Sequence, residues 1–208
     1  MILIGQYDSP FVRRVGIALT IYGIGFEHRP WSTFGDAEQI RPYNPLTRVP
    51  TLVLDDGDVL VDSHAILDHV DGLVPGRRRM FPTKEPARRR AMKIAALATG
   101  FSDKAVSLFY EKRLHDSASP LWVERCETQI AGVLRVLDDD RAKRVSTWWF
   151  GEEIGHADIA VACAMRHANE CHPGLASTAK YPALGAHAAR AEALPVFKQV
   201  SKPFIAPT

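Results

Sequence analysis

The sequence is poor in cysteine and nearly balanced in charge. Three cysteines occur among 208 residues, an odd and sparse count that does not fit a disulfide-stapled secreted domain, so a reducing cytoplasm is the expected compartment. Lys and Arg number 26 against 24 Asp and Glu. This small excess provides no strong overall field for nucleic acid or anionic lipid, and we expect neither as a partner.

Long apolar runs are also absent. No uninterrupted run approaches the roughly 18 apolar residues that a membrane span requires, so we expect no membrane partner. Arg13 and Arg14 precede the largely apolar stretch 15–26, which imitates an export signal, but Glu27-His28-Arg29 stands where a small-residue cleavage site should be. We therefore interpret this stretch as part of the folded domain.

Glycine and proline are not enriched. Each occurs 14 times, without a Gly-X-Y period, which excludes collagen-like and low-complexity structure. The hydrophobic share of 46% can form a sizeable core, because a chain near this length buries roughly 70% of its unfolded surface. A length of 208 residues suits one large domain or two small ones, since domains commonly contain about 100 to 200 residues.

The first 76 residues alternate strand patterns with helical patterns. Apolar residues recur at helical spacing between Phe11 and Tyr22, before Gly23, which predicts an amphipathic helix after the first strand. Asp56-Gly57 predicts a hairpin turn. The predicted strands are residues 1–5, 26–30, 51–54 and 59–61, and the predicted helices start near residues 11, 36 and 63. This βαβαββα order predicts a mixed sheet with helices on its faces.

The chain after Pro75-Gly76 has helical patterns almost throughout. They cover residues 87–114, 121–137, 156–170 and 182–194. We therefore predict two domains. The first is an α/β domain at residues 1–76, the second is an all-α domain at residues 87–208, and residues 77–86 form a linker.

Ser9-Pro10, after the first strand, is the first segment with chemical meaning. Ser is a favoured N-cap and Pro a favoured first helical residue, so the helix should begin here with its unpaired N–H groups facing the end of the sheet. Such a terminus attracts an anion. By itself, the pair is also typical of a helix cap with no further role.

Two further segments have the same ambiguity. A cis bond at Val49-Pro50 would leave the backbone N–H and C=O of Val49 free for an outside peptide, although taken alone an X-Pro bond is usually trans. Asp62-Ser63 offers a hydroxyl and a backbone N–H to a carboxylate at another helix N-terminus, where a simple cap is the alternative.

In combination and in this order, these segments resemble the cytosolic glutathione transferases over essentially the whole chain. The resemblance implies a thioredoxin-like N-terminal domain, an all-helical C-terminal domain and glutathione as co-substrate, with no metal. The segments that carry it are Ser9-Pro10-Phe11, Asn44-Pro45-Leu46, Val49-Pro50, Asp62-Ser63 and Gly155-His156-Ala157-Asp158-Ile159.

The resemblance also implies a role for each matching residue. Ser9 resembles the hydroxyl that holds the glutathione sulfur in the serine-containing bacterial-type branches. Pro50 resembles the cis-proline of the family. For glutathione itself, Val49 would pair with the cysteinyl backbone, Arg48 would meet the glycyl carboxylate, and Asp62 and Ser63 would bind the γ-glutamyl end.

The sequence departs from related patterns at two places. A glutaredoxin-like site would have Cys-Pro-x-Cys at positions 9–12, whereas this chain has Ser9, so no thiolate is available for dithiol exchange. Gly155 replaces the usual Ser or Thr N-cap of the motif in the helical domain. Asp158 can still accept a hydrogen bond from the Gly155 N–H, and Ile154 and Ile159 can form a hydrophobic staple. We expect this motif to be structural.

Tyr7 competes with Ser9 as the hydroxyl that holds the thiolate, because some branches of the family use a tyrosine just after the first strand. We favour Ser9, which directly precedes Pro10 as it does in the serine branches. The electrophile is expected between the two domains. The residues expected to form its apolar walls are Tyr7, Phe34, Phe101, Phe109, Tyr110 and Met165.

Two other clusters have simpler explanations than a binding site. The basic stretch 77–90 is typical of a solvated linker and helix start, with a local nucleic-acid patch as the alternative. Cys163, His167 and Cys171 fall on one helix face, but a rise of about 1.5 Å per residue separates the end residues by about 12 Å. Zinc–ligand bonds are about 2.0 to 2.3 Å, so one ion cannot bind all three, and we expect core packing.

The expected function is conjugation of an activated glutathione thiolate to hydrophobic electrophiles, with a role in detoxification, by a cytoplasmic homodimer. A non-catalytic binding or regulatory protein is the first alternative, because a fold does not dictate a function. A glutathione-dependent isomerase or peroxidase is the second alternative.

Overall fold

A four-stranded mixed sheet forms the centre of the N-terminal domain in the computed structural model, which describes residues 1–206. The spatial order is β2-β1-β3-β4, with β1 parallel to β2 and antiparallel to β3, and β3 antiparallel to β4. Leu3 lies opposite His28 on one side and Leu52 on the other. The strands are β1 (Ile2–Ile4), β2 (Glu27–Arg29), β3 (Thr51–Val53) and β4 (Val59–Val61).

Three helices complete this domain, and the resulting βαβαββα order confirms the predicted thioredoxin-like fold. They are α1 (Pro10–Tyr22), α2 (Ala37–Ile40) and α3 (Ser63–Gly72). Helix α1 begins after Ser9, with Pro10 at its first position, as the sequence predicts. It ends at Gly23, whose φ of 70° lies in the left-handed region that glycine tolerates best.

The C-terminal domain is entirely helical, which confirms the second half of the fold prediction. A short 3-10 turn at Gly76–Arg78 precedes it. Helix α8 was not predicted as a separate helix, and it begins directly after the predicted helix at residues 182–194. The helices are α4 (Ala87–Leu114), α5 (Pro120–Ala142), α6 (His156–Cys171), α7 (Pro182–Glu192) and α8 (Pro195–Gln199). None of the helices within residues 1–206 combines the length and apolar character needed to cross a membrane.

The N-terminus of α6 explains why glycine replaces a hydroxyl residue there. A Cβ on Gly155 would lie 2.9 Å from the carbonyl oxygen of Met80, so no side chain fits without movement of the backbone. The Asp158 carboxylate instead accepts hydrogen bonds from the backbone N–H of Gly155 at 2.9 Å and of Trp149 at 2.8 Å. Burial raises the pKa of Asp158 to about 6. The Asp158 half of the capping box is therefore structural, because it ties the loop at Trp149 to the N-terminus of α6.

One of the two apolar cores is shared by the two domains. Val15 and Leu19 of α1 belong to the same buried cluster as Ile159, Ala162 and Cys163 of α6. All five side chains are at most 1% exposed. Because helix packing excludes water from this contact, the position of α6 relative to the sheet is fixed by side-chain shape.

A buried polar network also joins the domains. The Asp71 carboxylate of α3 accepts hydrogen bonds from the Tyr22 hydroxyl of α1 and from the His156 Nε2–H of α6, the latter at 2.7 Å. It also accepts one from the Phe81 N–H at 3.1 Å, while the Met80 N–H donates to the Tyr22 hydroxyl at 2.7 Å. One carboxylate therefore connects two helices of the first domain, the interdomain segment and the second domain.

Candidate active site

A cavity of about 790 Å³ opens where the two domains meet. The α/β domain contributes the N-terminus of α1, the loop at residues 31–35 and the loop at residues 47–49. The helical domain contributes residues of α4 and α6, and residues 204–206 close one side. A ligand in this cavity would contact both domains.

Ser9 lies on the cavity wall at the N-terminus of α1. Its Oγ accepts a hydrogen bond from the Val12 N–H at 3.4 Å. A hydroxyl that accepts through oxygen still carries its own hydrogen, so Ser9 can donate to an anion in the cavity. The unpaired N–H groups of the helix end add positive potential at the same place.

Tyr7 lies away from the cavity wall. Its ring stacks on the His28 ring with centroids 3.9 Å apart, and it packs closely over the backbone of Gly16, where an added Cβ would lie 2.7 Å from the Tyr7 ring. Burial raises the pKa of the Tyr7 hydroxyl. Of the two competing hydroxyls, the structure brings Ser9, and not Tyr7, to the cavity. The prediction that Tyr7 forms part of the cavity wall is therefore wrong, because its ring packs against Gly16 of α1 and against His28.

The loop before β3 presents an unbonded stretch of backbone to the cavity. The Val49–Pro50 peptide bond is cis, which confirms that expectation, and Val49 lines the cavity whereas Pro50 is buried. Neither the N–H nor the C=O of Val49 is hydrogen-bonded within residues 1–206. Gly5 lets this loop approach α1, because a Cβ there would lie 2.7 Å from the Val49 side chain.

Ser63 and Asp62 lie at the start of α3, outside the residues that line the cavity. Ser63 is 2% exposed, and its Oγ accepts a hydrogen bond from Nη1 of Arg14 at 3.5 Å. Asp62 accepts from the His64 N–H at 2.7 Å and has a φ of 70°, a conformation that non-glycine residues rarely adopt. Asp62 is therefore the N-cap of α3, and Ser63 is the first residue of the helix.

Arg14 is a buried cation beside Ser63. The residue is 1% exposed, and its Nε and Nη2 have no hydrogen-bond partner within residues 1–206. Burial lowers the pKa of this guanidinium to about 10, although the nearby Asp62 carboxylate favours the charged form. Since a buried charge is costly without a counter-charge, this arrangement is suited to an anion near the start of α3.

Arg48 lies at the rim of the cavity, opposite α4. Its Nη2 is 3.6 Å from an Asp103 carboxylate oxygen, and both side chains are more than half exposed, so this ion pair contributes little stability. Burial raises the pKa of Asp103, although the Arg48 guanidinium beside it favours the charged carboxylate.

Two of the six proposed wall residues line the cavity. They are Phe34 and Tyr110, whose rings pack edge to face with centroids 5.5 Å apart. Phe109 lies one layer behind and packs on the rings of Tyr110 and Phe204, with centroids 6.1 and 5.0 Å away.

The prediction that Phe101 and Met165 line the cavity is wrong. They are only 1% and 2% exposed and belong to the core of the helical domain. Their apolar character predicted a wall position, but the same character suits a packed interior, and helical periodicity alone does not separate the two.

Comparison with known proteins decides the family. The family model described as "Glutathione S-transferase, N-terminal domain" matches residues 3–78, and the model described as "Glutathione S-transferase, C-terminal domain" matches residues 120–190. The chain is also 32% identical over 173 residues to the "Uncharacterized GST-like protein YibF" of Escherichia coli K12, covering 81% of this chain and 82% of that protein. The chain belongs to the glutathione S-transferase family.

Solved structures of other glutathione S-transferases have the same architecture. One from Methylobacillus flagellatus KT, with GSH bound, aligns with a TM-score of 0.89 at 28% identity and covers 96% of this chain and 98% of that chain. Another, from Methylobacterium radiotolerans JCM 2831 in complex with glutathione sulfonate, aligns with a TM-score of 0.92 at 27% identity and covers 100% and 97%. This chain is therefore a glutathione transferase-like protein in both sequence and fold.

Several cavity residues of this glutathione transferase were missed by sequence reasoning. Trp31 follows β2 in a loop without a motif, and Phe204 and Ile205 lie after the last helix, where no periodicity exists. His167 was expected to pack in the core, with metal binding as the rejected alternative. Within residues 1–206 no three His, Cys, Asp or Glu side chains are grouped to hold a metal ion, and His167 instead lines the cavity.

Proposed function

We propose that the protein adds the thiolate of glutathione to hydrophobic electrophiles, with Ser9 as the group that stabilises the thiolate. The observation that carries this proposal is the Ser9 hydroxyl at the N-terminus of α1, facing a cavity lined by both domains. The bound GSH in the Methylobacillus flagellatus relative supports glutathione as the substrate. Ser9 acts by donating a hydrogen bond and does not attack the substrate.

Glutathione has a proposed partner for each of its charged or polar parts. Val49 pairs its free N–H and C=O with the cysteinyl residue, which is supported by their lack of partners within residues 1–206. Arg48 meets the glycyl carboxylate at the cavity rim. Asp62 and Ser63 bind the γ-glutamyl amine and carboxylate, and the buried Arg14 charge beside Ser63 favours the carboxylate. Pro50 shapes the loop that holds Val49.

The electrophile is proposed to bind beside Ser9 against the Phe34 and Tyr110 rings. Aromatic rings bury apolar surface and tolerate ligands of varied shape, so a hydrophobic molecule fits this wall best. The proposal requires no metal, because the hydroxyl and the helix terminus supply the stabilisation of the thiolate. Such a reaction suits detoxification of reactive compounds.

Replacing Ser63 with alanine should weaken glutathione binding about ten-fold or more, because a hydrogen bond to a charged group contributes roughly 1.5 to 3 kcal/mol. Isothermal titration calorimetry of glutathione into the wild type and Ser63→Ala measures this change. Ser9→Ala is the matched control and should change the affinity much less. If the wild type does not bind glutathione, or Ser63→Ala binds it unchanged, the assignment is wrong.

Turnover assays distinguish conjugation from the two alternatives. A panel of aryl halides, isothiocyanates, enals, organic peroxides and cis-enone isomerisation substrates is assayed with glutathione at constant pH. Conjugation of the first three classes supports the proposal. Turnover restricted to peroxides or to isomerisation supports the second alternative, and glutathione binding without any turnover supports a binding or regulatory protein.

We propose that the protein has two domains joined by a linker and is located in the cytoplasm. We place the glutathione-binding domain at residues 1–76, the linker at 77–86 and the electrophile-binding domain at 87–208. The 3-10 turn Gly76–Arg78 and the start of α4 at Ala87 support these boundaries. The free state of Cys126, Cys163 and Cys171 supports a cytoplasmic location.

We also propose a symmetric dimer, and we expect light scattering at micromolar concentration to give twice the 23.1 kDa chain mass. Strand β4 supports this, because it is an edge strand with Val59 and Val61 at 37% and 38% exposure, and exposed apolar edges favour association. The double variant Val59→Lys and Val61→Lys should weaken the dimer. Val145→Lys is the control, because Val145 is fully exposed, and it should not change the dimer. A monomeric wild type contradicts the proposal.

A further inference from the structure

His167 is a buried residue of the cavity lining, and one of its ring nitrogens has no partner. The residue lies in α6, is 5% exposed and lines the cavity. Its Nε2 is buried and has no hydrogen-bond partner within residues 1–206. Two other imidazoles in that range have a buried ring nitrogen without a partner, His156 and His187, but neither lines the cavity. Because buried polar groups are nearly always satisfied, an unpaired nitrogen beside a binding cavity points to a ligand group.

The ring of His167 is held in one tautomer. Its Nδ1 is 3.2 Å from the backbone carbonyl oxygen of Asp8, the residue before Ser9. A carbonyl oxygen only accepts, so Nδ1 carries the hydrogen and the neutral ring has its lone pair on Nε2. Burial lowers the pKa of His167 to about 4, so the ring is neutral near pH 7. Nε2 is therefore an acceptor that requires a donor.

The surroundings of this nitrogen offer apolar contact. The Phe204 ring meets the His167 ring edge to face, with centroids 5.4 Å apart. Phe204, Phe34 and Tyr110 line the same cavity. A ligand that satisfies both features has a flat aromatic body for the rings and one hydroxyl for the nitrogen.

We propose that His167 determines specificity for the second substrate by accepting, at Nε2, a hydrogen bond from the hydroxyl of a phenolic electrophile. This inference rests on the proposed function, because it places glutathione at Ser9 and the electrophile on the α6 side of the cavity. The hydrogen bond from Nδ1 to Asp8 fixes the distance between the ring and the start of α1. His167 therefore selects the orientation of the aromatic group relative to the sulfur.

Stable conjugates test this inference without turnover. S-benzylglutathione is compared by calorimetry with its 2-, 3- and 4-hydroxybenzyl analogues. One hydroxyl isomer should bind the wild type about three- to ten-fold more tightly than S-benzylglutathione, the range expected for one net hydrogen bond. On binding, the ¹⁵N resonance of His167 Nε2 should move in the direction of an accepted hydrogen bond, which a merely structural role would not produce.

Three variants identify the nitrogen responsible, and the readout in each is the ratio of hydroxybenzyl to benzyl affinity. His167→Asn keeps an N–H near Asp8 but lacks an acceptor at the Nε2 position, so the preference should disappear. His167→Gln carries a carbonyl oxygen near the Nε2 position and should keep part of the preference for the hydroxybenzyl ligand. His172→Asn is the matched control, because His172 caps the C-terminus of α6 five residues later and does not line the cavity. This variant should keep the full preference.

The outcomes separate this inference from the proposed function. If the wild type binds glutathione but does not discriminate among the hydroxyl isomers, the role of His167 is overturned. A preference that persists in His167→Asn overturns it as well. Failure of glutathione itself to bind removes the proposed function, and the inference falls with it.

Discussion

Replacing Ser9 with alanine is expected to lower kcat/KM for glutathione conjugation about ten-fold to several hundred-fold and to raise the pH midpoint of thiolate formation. A free thiol with a pKa near 8.5 is only about 3% ionised at pH 7. Lowering that pKa by two units requires about 2.7 kcal/mol. Ser9 is the hydroxyl that α1 presents to the cavity, and its loss removes most of this stabilisation.

The required free energy matches what this helix terminus can supply. A hydroxyl that donates to a charged sulfur contributes about 1.5 to 3 kcal/mol, and the helix N-terminus adds about 0.3 to 1 kcal/mol. The Val12 N–H donates to Ser9 Oγ and so orients the hydroxyl with its hydrogen free. No buried base or metal is needed to reach the two-unit shift.

Ultraviolet absorbance of the bound thiolate, followed against pH, measures this effect in the wild type, Ser9→Ala and Tyr7→Phe. Tyr7→Phe should leave the midpoint in place, because the Tyr7 ring packs against His28 and Gly16. If Tyr7→Phe raises the midpoint and Ser9→Ala does not, the choice between the hydroxyls is wrong. If neither variant moves it, other groups hold the thiolate.

Ser119→Ala provides the control for the loss of a helix cap. Ser119 caps α5 in the same way, with Pro120 at the first position and its Oγ accepting from the Trp122 N–H at 3.4 Å. Each substitution should cost about 0.5 to 2 kcal/mol of stability as an N-cap. Only Ser9→Ala should also change the thiolate midpoint, so the two variants separate capping from catalysis.

Replacing Asp71 with alanine should lower the free energy of unfolding by about 3 to 5 kcal/mol, the largest stability loss we expect from one substitution. The change leaves the Tyr22 hydroxyl, the His156 Nε2–H and the Phe81 N–H without their acceptor. Each unsatisfied buried donor costs about 1 to 3 kcal/mol, and water reaching the new cavity recovers part of that.

Urea denaturation of the wild type, Asp71→Ala and Asp68→Ala measures this loss. Asp68 is the matched control on the same helix, with a side chain that is 77% exposed and 3.9 Å from Arg88, so its removal should change stability by less than about 1 kcal/mol. Equal losses in the two variants would show that the buried network contributes nothing beyond helix α3 itself.

The contribution of Asp71 should also depend on pH. Burial raises the pKa of Asp71, but the hydrogen bond from His156 and the other donors outweigh burial, so the net pKa lies below its usual value. An acid with a lowered pKa in the folded state stabilises the fold above its unfolded pKa, and this contribution is lost as the pH falls through the folded value. The difference between wild type and Asp71→Ala should therefore shrink in acid.

Local motifs made the start of α1 and the order of elements in the first domain predictable. Ser9-Pro10 specifies a cap and a helix start by local chemistry, and the observed start of α1 agrees. The βαβαββα order follows from periodicities of two and 3.6 residues together with one Asp-Gly turn. These signals depend on neighbours in the chain, which is why a single sequence carries them.

The aromatic lining of the cavity depends on contacts between distant residues and was predicted less well. Phe101 and Tyr110 lie on the same helix, yet one is buried in the core and the other lines the cavity. The neighbour that decides this is α6, and its position follows from the shared core with α1. The glycine at position 155 could not be explained from the sequence for the same reason. The Met80 carbonyl that excludes a side chain there is distant in the chain, so local sequence patterns do not reveal it.

Residues 204–206 form the part of the cavity wall that belongs to no helix or strand. Phe204 and Ile205 lie outside any helix or strand, and their N–H groups donate to Glu170 at 3.0 Å and to Asp8 at 3.3 Å. Substitution of these two side chains leaves both backbone bonds and the two buried cores intact. Mutant libraries for directed evolution of substrate range are therefore best centred on residues 204–206, where diversity reaches the ligand without reducing foldability.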